Sequence, residues 1–381
     1  MQKSLKYHRS FAKIDLSAIK DNFIALKALI PEKTKTMAIV KANAYGHGAV
    51  RVAKVLENMA DYFAVADIEE ALELRENGIE NPILILSYTS SYHYEELIAN
   101  NLISTVYSLD DARKLSQLAV EMNKKAYIHI AVDTGMNRIG LKDNDESIEI
   151  IRKISTLSNL VIDGIFTHFA SADCKDKAFM HTQQKRFDGF LSKLEAEGID
   201  IPLKHCCNSA AIIDSEYHYD MVRMGIALYG LYPSDEVMTD KVELKPAMEV
   251  ISRIIHIKDV EAGEGIGYGH AYVTSEKRKI ATVCIGYADG YNRAFSNKGC
   301  VLVGGKRAPV VGRVCMDQIM IDITGIDGAC VGDRVIIMGE DKGGKITAEE
   351  LGEMCGSFNY EMICTFMPRV NKIYYENGEL A

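Results

Sequence analysis

From Thr36 to Met224 the chain repeats one pattern eight times: a short apolar run, in most cases followed by a longer stretch with apolar residues at helical spacing. The runs are "TMAIVK", "YFAVA", "PILILS", "LISTVYS", "AYIHIAVD", "IDGIFTH", "LKHCCN" and "DMVRM". Between them lie amphipathic segments such as "DIEEALELRENG" and "LDDARKLSQLAVEMN". In the first of these Asp67 suits an N-cap, Glu70 stands three residues on as in a capping box, and Gly78 suits the end. Eight βα units in series predict a closed α/β barrel of the TIM type, (β/α)8; a doubly wound open sheet alternates similarly, but the count favours closure.

After Pro246 the pattern changes. Alternating strands such as "AMEVISRIIHIKDV", "KIATVCIGY", "QIMIDIT" and "DRVIIMG" are separated by glycine turns, and helical patterning is scarce. The expected organisation is a barrel over 11–245 and a β-rich domain over 246–381, joined by the N-terminal residues 1–10.

A length of 381 residues, 48% of them hydrophobic, suffices for two such cores. The net charge of −9 and the lack of a long basic run exclude the usual nucleic-acid binder. No apolar window approaches a membrane span, and the first residues lack the apolar region of a signal peptide. Nine cysteines without such a leader read as reduced thiols in the cytoplasm, and no CxxC pair suggests a metal site. Cys206 and Cys207, adjacent on an expected strand, should face opposite sides. "GEGIGYGH" lacks the glycine spacing of a dinucleotide fingerprint.

In such a barrel, chemistry gathers at the C-terminal ends of the strands. The first strand ends in Lys41, the fifth leads to Arg138, the sixth ends in His168, the seventh in Asn208 and Ser209, and the eighth carries Arg223 before Gly225. "CNSAA" offers a hydroxyl and an expected helix N-terminus, both suited to an anion. Lys41 alone would be read as a surface lysine. Opposite an anion site it suggests pyridoxal 5'-phosphate, whose aldehyde takes a lysine and whose phosphate needs its own cradle.

Together, "VKANAYGHGA", "DTGMNRIG", "CNSAA", "MVRMGIALYGLYP", "GYGHAY", "IGYADGY", "GRVCMDQIM" and "NYEMICTFMPRV" resemble the alanine racemases, in this order and across nearly the whole chain. The resemblance implies a pyridoxal-phosphate isomerase, a homodimer of barrel plus β domain that interconverts L- and D-alanine. It also implies a supply of D-alanine for bacterial cell-wall peptide. Lys41 matches the family's Schiff-base lysine and its base toward D-alanine; Tyr268 matches the base toward L-alanine. A free tyrosine titrates near 10, so a tyrosine base needs cationic or hydrogen-bonding help, which His168 and Arg223 resemble. Tyr45, Asn208, Ser209, Gly225, Ile226 and Tyr360 match cofactor-binding positions, mainly for the phosphate, and Arg223 the arginine facing the pyridine nitrogen. Arg138, Met316 and Tyr287 match the substrate positions, Met316 through its backbone amide. Tyr268, Tyr287 and Met316 lie in the β domain and, in the family, reach the partner subunit's barrel. His47 and Cys315 receive no catalytic role.

One position departs from the family. Many relatives carry a carbamylated lysine, two residues before the aspartate of the DTGM motif, that pairs with the arginine; here that residue is Ala131. An anion, a water or another side chain must then orient Arg138. Met224 stands where proline is usual. Rival readings are an amino-acid decarboxylase, a racemase of another small amino acid such as serine, and a non-catalytic pyridoxal-phosphate carrier. Arg223 and "CNSAA" weigh against the first, and Tyr268 against the last.

Overall fold

A computed structural model describes residues 9–366 and 369–381, which divide into two compact units. One comprises residues 18–44 and 48–245; the other comprises residues 9–17, 45–47 and 246–381.

The first unit is a closed ring of eight parallel strands: β1 (Lys35–Ile39), β2 (Tyr62–Val65), β3 (Ile83–Ile85), β4 (Ile103–Val106), β5 (Ala126–Asp133), β6 (Leu160–Phe166), β7 (Leu203–His205) and β8 (Met221–Met224). Strand β8 closes on β1, with Met221 opposite Lys35 and Met224 opposite Ala38. All four residues of β2, of β4 and of β8 are buried. Strands covered on both faces read as largely continuous apolar runs rather than alternations, which is why strands such as these stand out in the sequence.

Helices follow most strands. Asp67 caps the helix Ile68–Glu76 by accepting from the Glu70 amide at 3.0 Å, and Gly78 takes a left-handed φ of 76° just beyond its end. The Glu70 carboxylate does not return to the cap residue as a capping box would. It accepts instead from the amides of Ala66 at 2.8 Å and Ala42 at 2.5 Å.

Strand β7 ends at His205, three residues earlier than the apolar run. Cys206 and Cys207 therefore lie beyond the ladder, where strand alternation no longer separates their side chains. Against expectation the two sulfurs approach to 3.8 Å; both remain free thiols and are buried.

The second unit is built on the 13-residue strand β9 (Met248–Val260). Here the expected boundary at residue 11 is corrected. The strand Phe11–Asp15 pairs antiparallel with β9, Phe11 opposite Ile251, and parallel with Asn371–Glu376. That sheet satisfies both edges of the strand and leaves Ala12 and Ile14 fully buried. Of the residues 1–10 expected to join this domain, 1–8 lie outside those described. Residues 45–47 also pack in this unit. At Gly46 (φ 84°) a Cβ would sit 2.3 Å from the Ile363 carbonyl oxygen, so only glycine admits this approach. Two helices, Ala348–Cys355 and Asn359–Thr365, belong to this unit near the C-terminus, in a region where helical patterning is scarce in the sequence. Among the described residues no helix is long and apolar enough to cross a membrane.

Candidate active site

Strand β1 delivers Lys41 into an uncommon backbone. Ala42, Asn43, Ala44 and Tyr45 all have φ between 51° and 55°, one turn of left-handed helix made without glycine. Such a turn costs about 1–2 kcal/mol per residue for L-amino acids, so its surroundings must impose it. The Ala44 amide donates to the Val40 carbonyl at 2.8 Å. The Asn43 side chain accepts from the Ala49 amide at 2.7 Å, and its carbonyl accepts from the Gly48 amide at 2.8 Å. Just upstream, the fully buried Tyr229 donates its hydroxyl proton to the Ile39 carbonyl at 2.7 Å, anchoring the strand end.

Arg223 is the hub of the barrel interior and is 3% exposed. Its guanidinium donates to His205 Nδ1 at 2.8 Å, His168 Nδ1 at 3.0 Å, the Thr167 carbonyl at 3.0 Å and the Cys206 carbonyl at 2.8 Å. Burial lowers its pKa to about 10, which leaves it charged at neutral pH.

Because arginine can only donate, Nδ1 of both histidines must accept, and each neutral ring then carries its proton on Nε2. The same logic runs on down the barrel. His205 Nε2–H donates to His129 Nδ1 at 2.9 Å, and His129 Nε2–H donates to Asp163 at 3.1 Å. Asp163 also accepts from the Tyr62 hydroxyl at 3.1 Å. The imidazoles stay neutral. Burial, then the charge of Arg223, pushes His168 and His205 well below the usual histidine range, and burial lowers His129 despite Asp163. At Asp163 burial acts to raise the pKa, but the hydrogen bonds from His129 and Tyr62 and the charge of Lys35 prevail and lower it. A one-way series of donors thus leads from the Arg223 cation to a carboxylate. His129, His205, Asp163 and Tyr62 were not singled out in the sequence. The available signal was a histidine inside an otherwise apolar run, as in "AYIHIAVD".

Lys41 and Arg138 also bear on His168, both lowering its pKa, so three cations gather about one neutral ring. Arg138 is exposed, and no described residue hydrogen-bonds to its guanidinium. The preceding loop is held by Asp133, which accepts from the amides of Gly135 at 2.9 Å and Asn137 at 3.0 Å. Ser209 Oγ accepts from the amides of Gly225 at 3.0 Å and Ala227 at 3.3 Å, joining the loop after β7 to the turn at Ile226. The helix that starts at Ser209 has only six residues. Its Ala211 amide, one of those expected to meet an anion, is taken by the Asn208 side chain at 3.1 Å.

The remaining expected residues lie in the β-rich unit. Tyr268 is 69% exposed, between Gly267 and Gly269, both at positive φ. A Cβ on Gly269 would stand 3.4 Å from the Arg313 guanidinium, which places this turn beside the Arg313–Met316 segment. The Tyr287 turn rests on the same segment: the amides of Tyr287 and Ala288 donate to the carbonyls of Cys315 and Met316, each at 3.0 Å. Asp289, 1% exposed, accepts from the Gly286 amide at 2.9 Å and from Arg9 at 2.7 and 2.9 Å, fixing that turn. Tyr268, Tyr287 and Met316 thus form one exposed group. Tyr45 and Tyr360 are a second pair in this unit, with ring centroids 6.2 Å apart; burial raises the pKa of Tyr45.

Comparison with known proteins follows the two units. The family model described as alanine racemase, N-terminal domain matches residues 14–233, and that described as alanine racemase, C-terminal domain matches residues 247–374. The chain is 48% identical to an alanine racemase of Methanococcus maripaludis over 369 residues, 96% of this chain and 99% of that one. It is 46% identical to one of Clostridium tetani, over 97% of this chain and 96% of that one. Among solved structures, the alanine racemase of Clostridium difficile 630 matches with a TM-score of 0.94 at 45% identity, covering 98% of this chain and 97% of that chain. That of Bacillus anthracis with bound L-Ala-P matches with a TM-score of 0.93 at 37% identity and the same coverage.

Proposed function

The chain belongs to the alanine racemase family, and on that premise we propose that it interconverts L- and D-alanine with Lys41 and Tyr268 as the two bases. The observation that supports this reading most is the buried Arg223 guanidinium at the end of the barrel, bonded to His168 and His205. Arg223 there has two imidazoles and two carbonyls for partners and no carboxylate.

That donor set fits pyridoxal phosphate. Arg223 is a buried cation without a counter-ion among its direct partners, suited to an unprotonated ring nitrogen. When bound, the cofactor supplies the electron sink that makes the α-hydrogen of alanine acidic. In the barrel Lys41 would carry it, Arg223 would face its ring nitrogen, and Asn208, Ser209, Gly225 and Ile226 would line its phosphate. For Tyr45 and Tyr360 the phosphate role is the one the family resemblance implies.

Two bases follow from the symmetry of the reaction. Substrate and product are mirror images, so the α-proton leaves one face and returns on the other. Lys41 Nζ takes the proton of D-alanine and Tyr268 Oη that of L-alanine. Arg138 and the Met316 amide hold the substrate carboxylate, with Tyr287 at the entrance. His168 presents its Nε2–H to the tyrosine base, since Arg223 occupies Nδ1. The exposure of Tyr268, Tyr287 and Met316, at 69%, 43% and 53%, supports their docking on the barrel of a second copy. Nine thiols with no disulfide among the described residues suit a cytoplasmic enzyme supplying D-alanine for cell-wall peptide. Incubation with L-alanine and, in parallel, L-serine tests the reading. D-alanine is the expected product; D-serine formed faster would overturn the substrate assignment.

Arg223→Glu should slow racemisation and raise the pyruvate formed per turnover. Arginine can only donate to the ring nitrogen, whereas a carboxylate would hold a proton there and strengthen the sink. With a proton held there a bound cofactor would supply a stronger electron sink, and pyruvate would compete with the reprotonated amino acid as product. Coupled pyruvate assay gives the ratio. Slower racemisation with no added pyruvate would leave Arg223 with only its role of orienting His168 and His205.

Ala131 is 2% exposed and offers only a methyl group, and the acidic or amide side chain expected as one possible partner of Arg138 is not found among the described residues. Of the partners expected, an anion or a water then remains for that guanidinium, and an anion such as chloride is the expected one. Crystals soaked in bromide should show an anomalous peak beside Arg138; an ordered Arg138 with no anion or side chain near it would refute this.

A further inference from the structure

We propose that Glu70 is a positioning residue for Lys41, its carboxylate capping the amide end of the left-handed turn that begins immediately after the lysine. This deepens the reading above and rests on Lys41 being the reactive lysine.

Three backbone amides converge on one carboxylate. Glu70 Oε1 accepts from Ala42 N at 2.5 Å and from Asn43 N at 3.3 Å, and Oε2 accepts from Ala66 N at 2.8 Å. Ala42 and Asn43 open the left-handed turn, and the Ala42 amide belongs to the peptide that includes the Lys41 carbonyl. Ala66 follows directly on β2. Glu70 therefore binds the ends of two adjacent barrel strands to each other at the point where the lysine leaves the first.

The opening amides of a helical turn lack partners within it, whatever its hand, and a carboxylate is the strongest neutral-pH acceptor for them. A second side-chain pin of the turn, in which Asn43 Oδ1 accepts from the Ala49 amide, acts at its far end. The helix that carries Glu70 does not require this carboxylate for its own cap, because Asp67 already accepts from the Glu70 amide. Had Glu70 served only as a capping-box residue, its oxygens would have turned to the cap amide of Asp67. They reach one residue earlier and across to the next strand.

Without Glu70 the peptide between Lys41 and Ala42 is released, and the lysine side chain samples directions that miss the substrate carbon. The test uses full-length protein and three variants: Glu70→Ala, Glu70→Gln and Asp67→Ala. Hydrogen exchange at the amides of residues 42 and 43 is the first readout, independent of turnover. Glu70→Ala should accelerate it roughly ten- to a hundredfold, as expected for losing charge-assisted hydrogen bonds. In the holoenzyme kcat should fall by a similar factor while KM for alanine changes little, since the substrate carboxylate is held elsewhere. Glu70→Gln keeps one acceptor oxygen and should restore part of both, and it carries the test should the alanine variant fold poorly. Asp67→Ala removes the cap of the same helix without touching the turn. It should lower Tm and leave exchange at 42–43 and kcat unchanged. Unaltered exchange in both Glu70 variants, or equal acceleration in Asp67→Ala, would overturn the proposal. So would accelerated exchange with an undiminished kcat. Failure of the underlying reading shows separately, as full racemase activity in Lys41→Ala.

Discussion

Lys41→Ala is expected to abolish racemisation and covalent attachment of the cofactor together. In the proposed reading the lysine does two jobs, carrying pyridoxal phosphate and moving the α-proton on one face. A positioned base alone contributes roughly 10²–10⁴-fold, so the combined loss should reach at least about 10⁴-fold. The fold should survive. Alanine already occupies positions 42 and 44 of the same turn, and the pins at Glu70, Asn43 and Tyr229 are untouched. A thermal midpoint close to that of the parent is therefore part of the expected result. Borohydride should no longer fix the cofactor to the protein, and D-alanine should not form from L-alanine. Cofactor fixed by borohydride in the variant would show that another lysine carries it.

Tyr268→Phe should lower the rate in both directions by roughly 10²–10⁴-fold, the range for one positioned base. The equilibrium between mirror images is unity, so kcat/KM must fall equally from L- and from D-alanine, and net racemisation cannot reveal which face has lost its base. Exchange of the α-hydrogen with deuterated water can. D-alanine meets Lys41, exchanges and returns as D-alanine, while L-alanine meets a phenyl ring and does not exchange. Retained exchange from D-alanine with lost exchange from L-alanine is the expected result; equal losses would mean that one base serves both faces. Since Tyr268 is proposed to act on a second copy's barrel, mixing this variant with Lys41→Ala should regenerate some activity. A mixed dimer would contain one site with both bases. No activity after subunit exchange would place both bases in one chain.

Much of this molecule could be read before its fold was known. The barrel strands were legible because most of their residues are buried, so β2 is apolar at every position and β4 carries only the small polar residues Ser104 and Thr105 between apolar ends. Lys41, Arg138, His168, Ser209 and Arg223 stood out as polar residues where such runs end. The cap at Asp67 was legible because cap and helix lie within three residues of each other. What failed was also specific. The run "LKHCCN" promised a longer strand than β7, and the two sulfurs then met beyond its end. The expected barrel bound at residue 11 took in Phe11–Asp15, because nothing local says which sheet will hydrogen-bond a terminal strand.

Beyond Arg223 itself, the series through His205 and His129 to Asp163 was not read from the sequence. Its members are 18, 76 and 34 residues apart along successive links, and they meet because neighbouring strands pair with a shift of register between Ile128 and His129 that sets His129 opposite Gly164, directly after Asp163. A Cβ on Gly164 would fall 2.6 Å from the His129 ring, so the glycine makes room for a histidine it cannot be seen to accompany in the sequence. The left-handed turn after Lys41 is similar: no local preference favours four such residues without glycine, and the acceptor for its first amides comes from Glu70, 28 residues on. Periodicity is local information, set by which face of an element meets water, and it determined the barrel and, β7 apart, roughly where its strands end. Register, the choice of sheet for a terminal strand and the strained turn depend on hydrogen bonds between segments distant in the chain, and those were decided only when the whole ring closed.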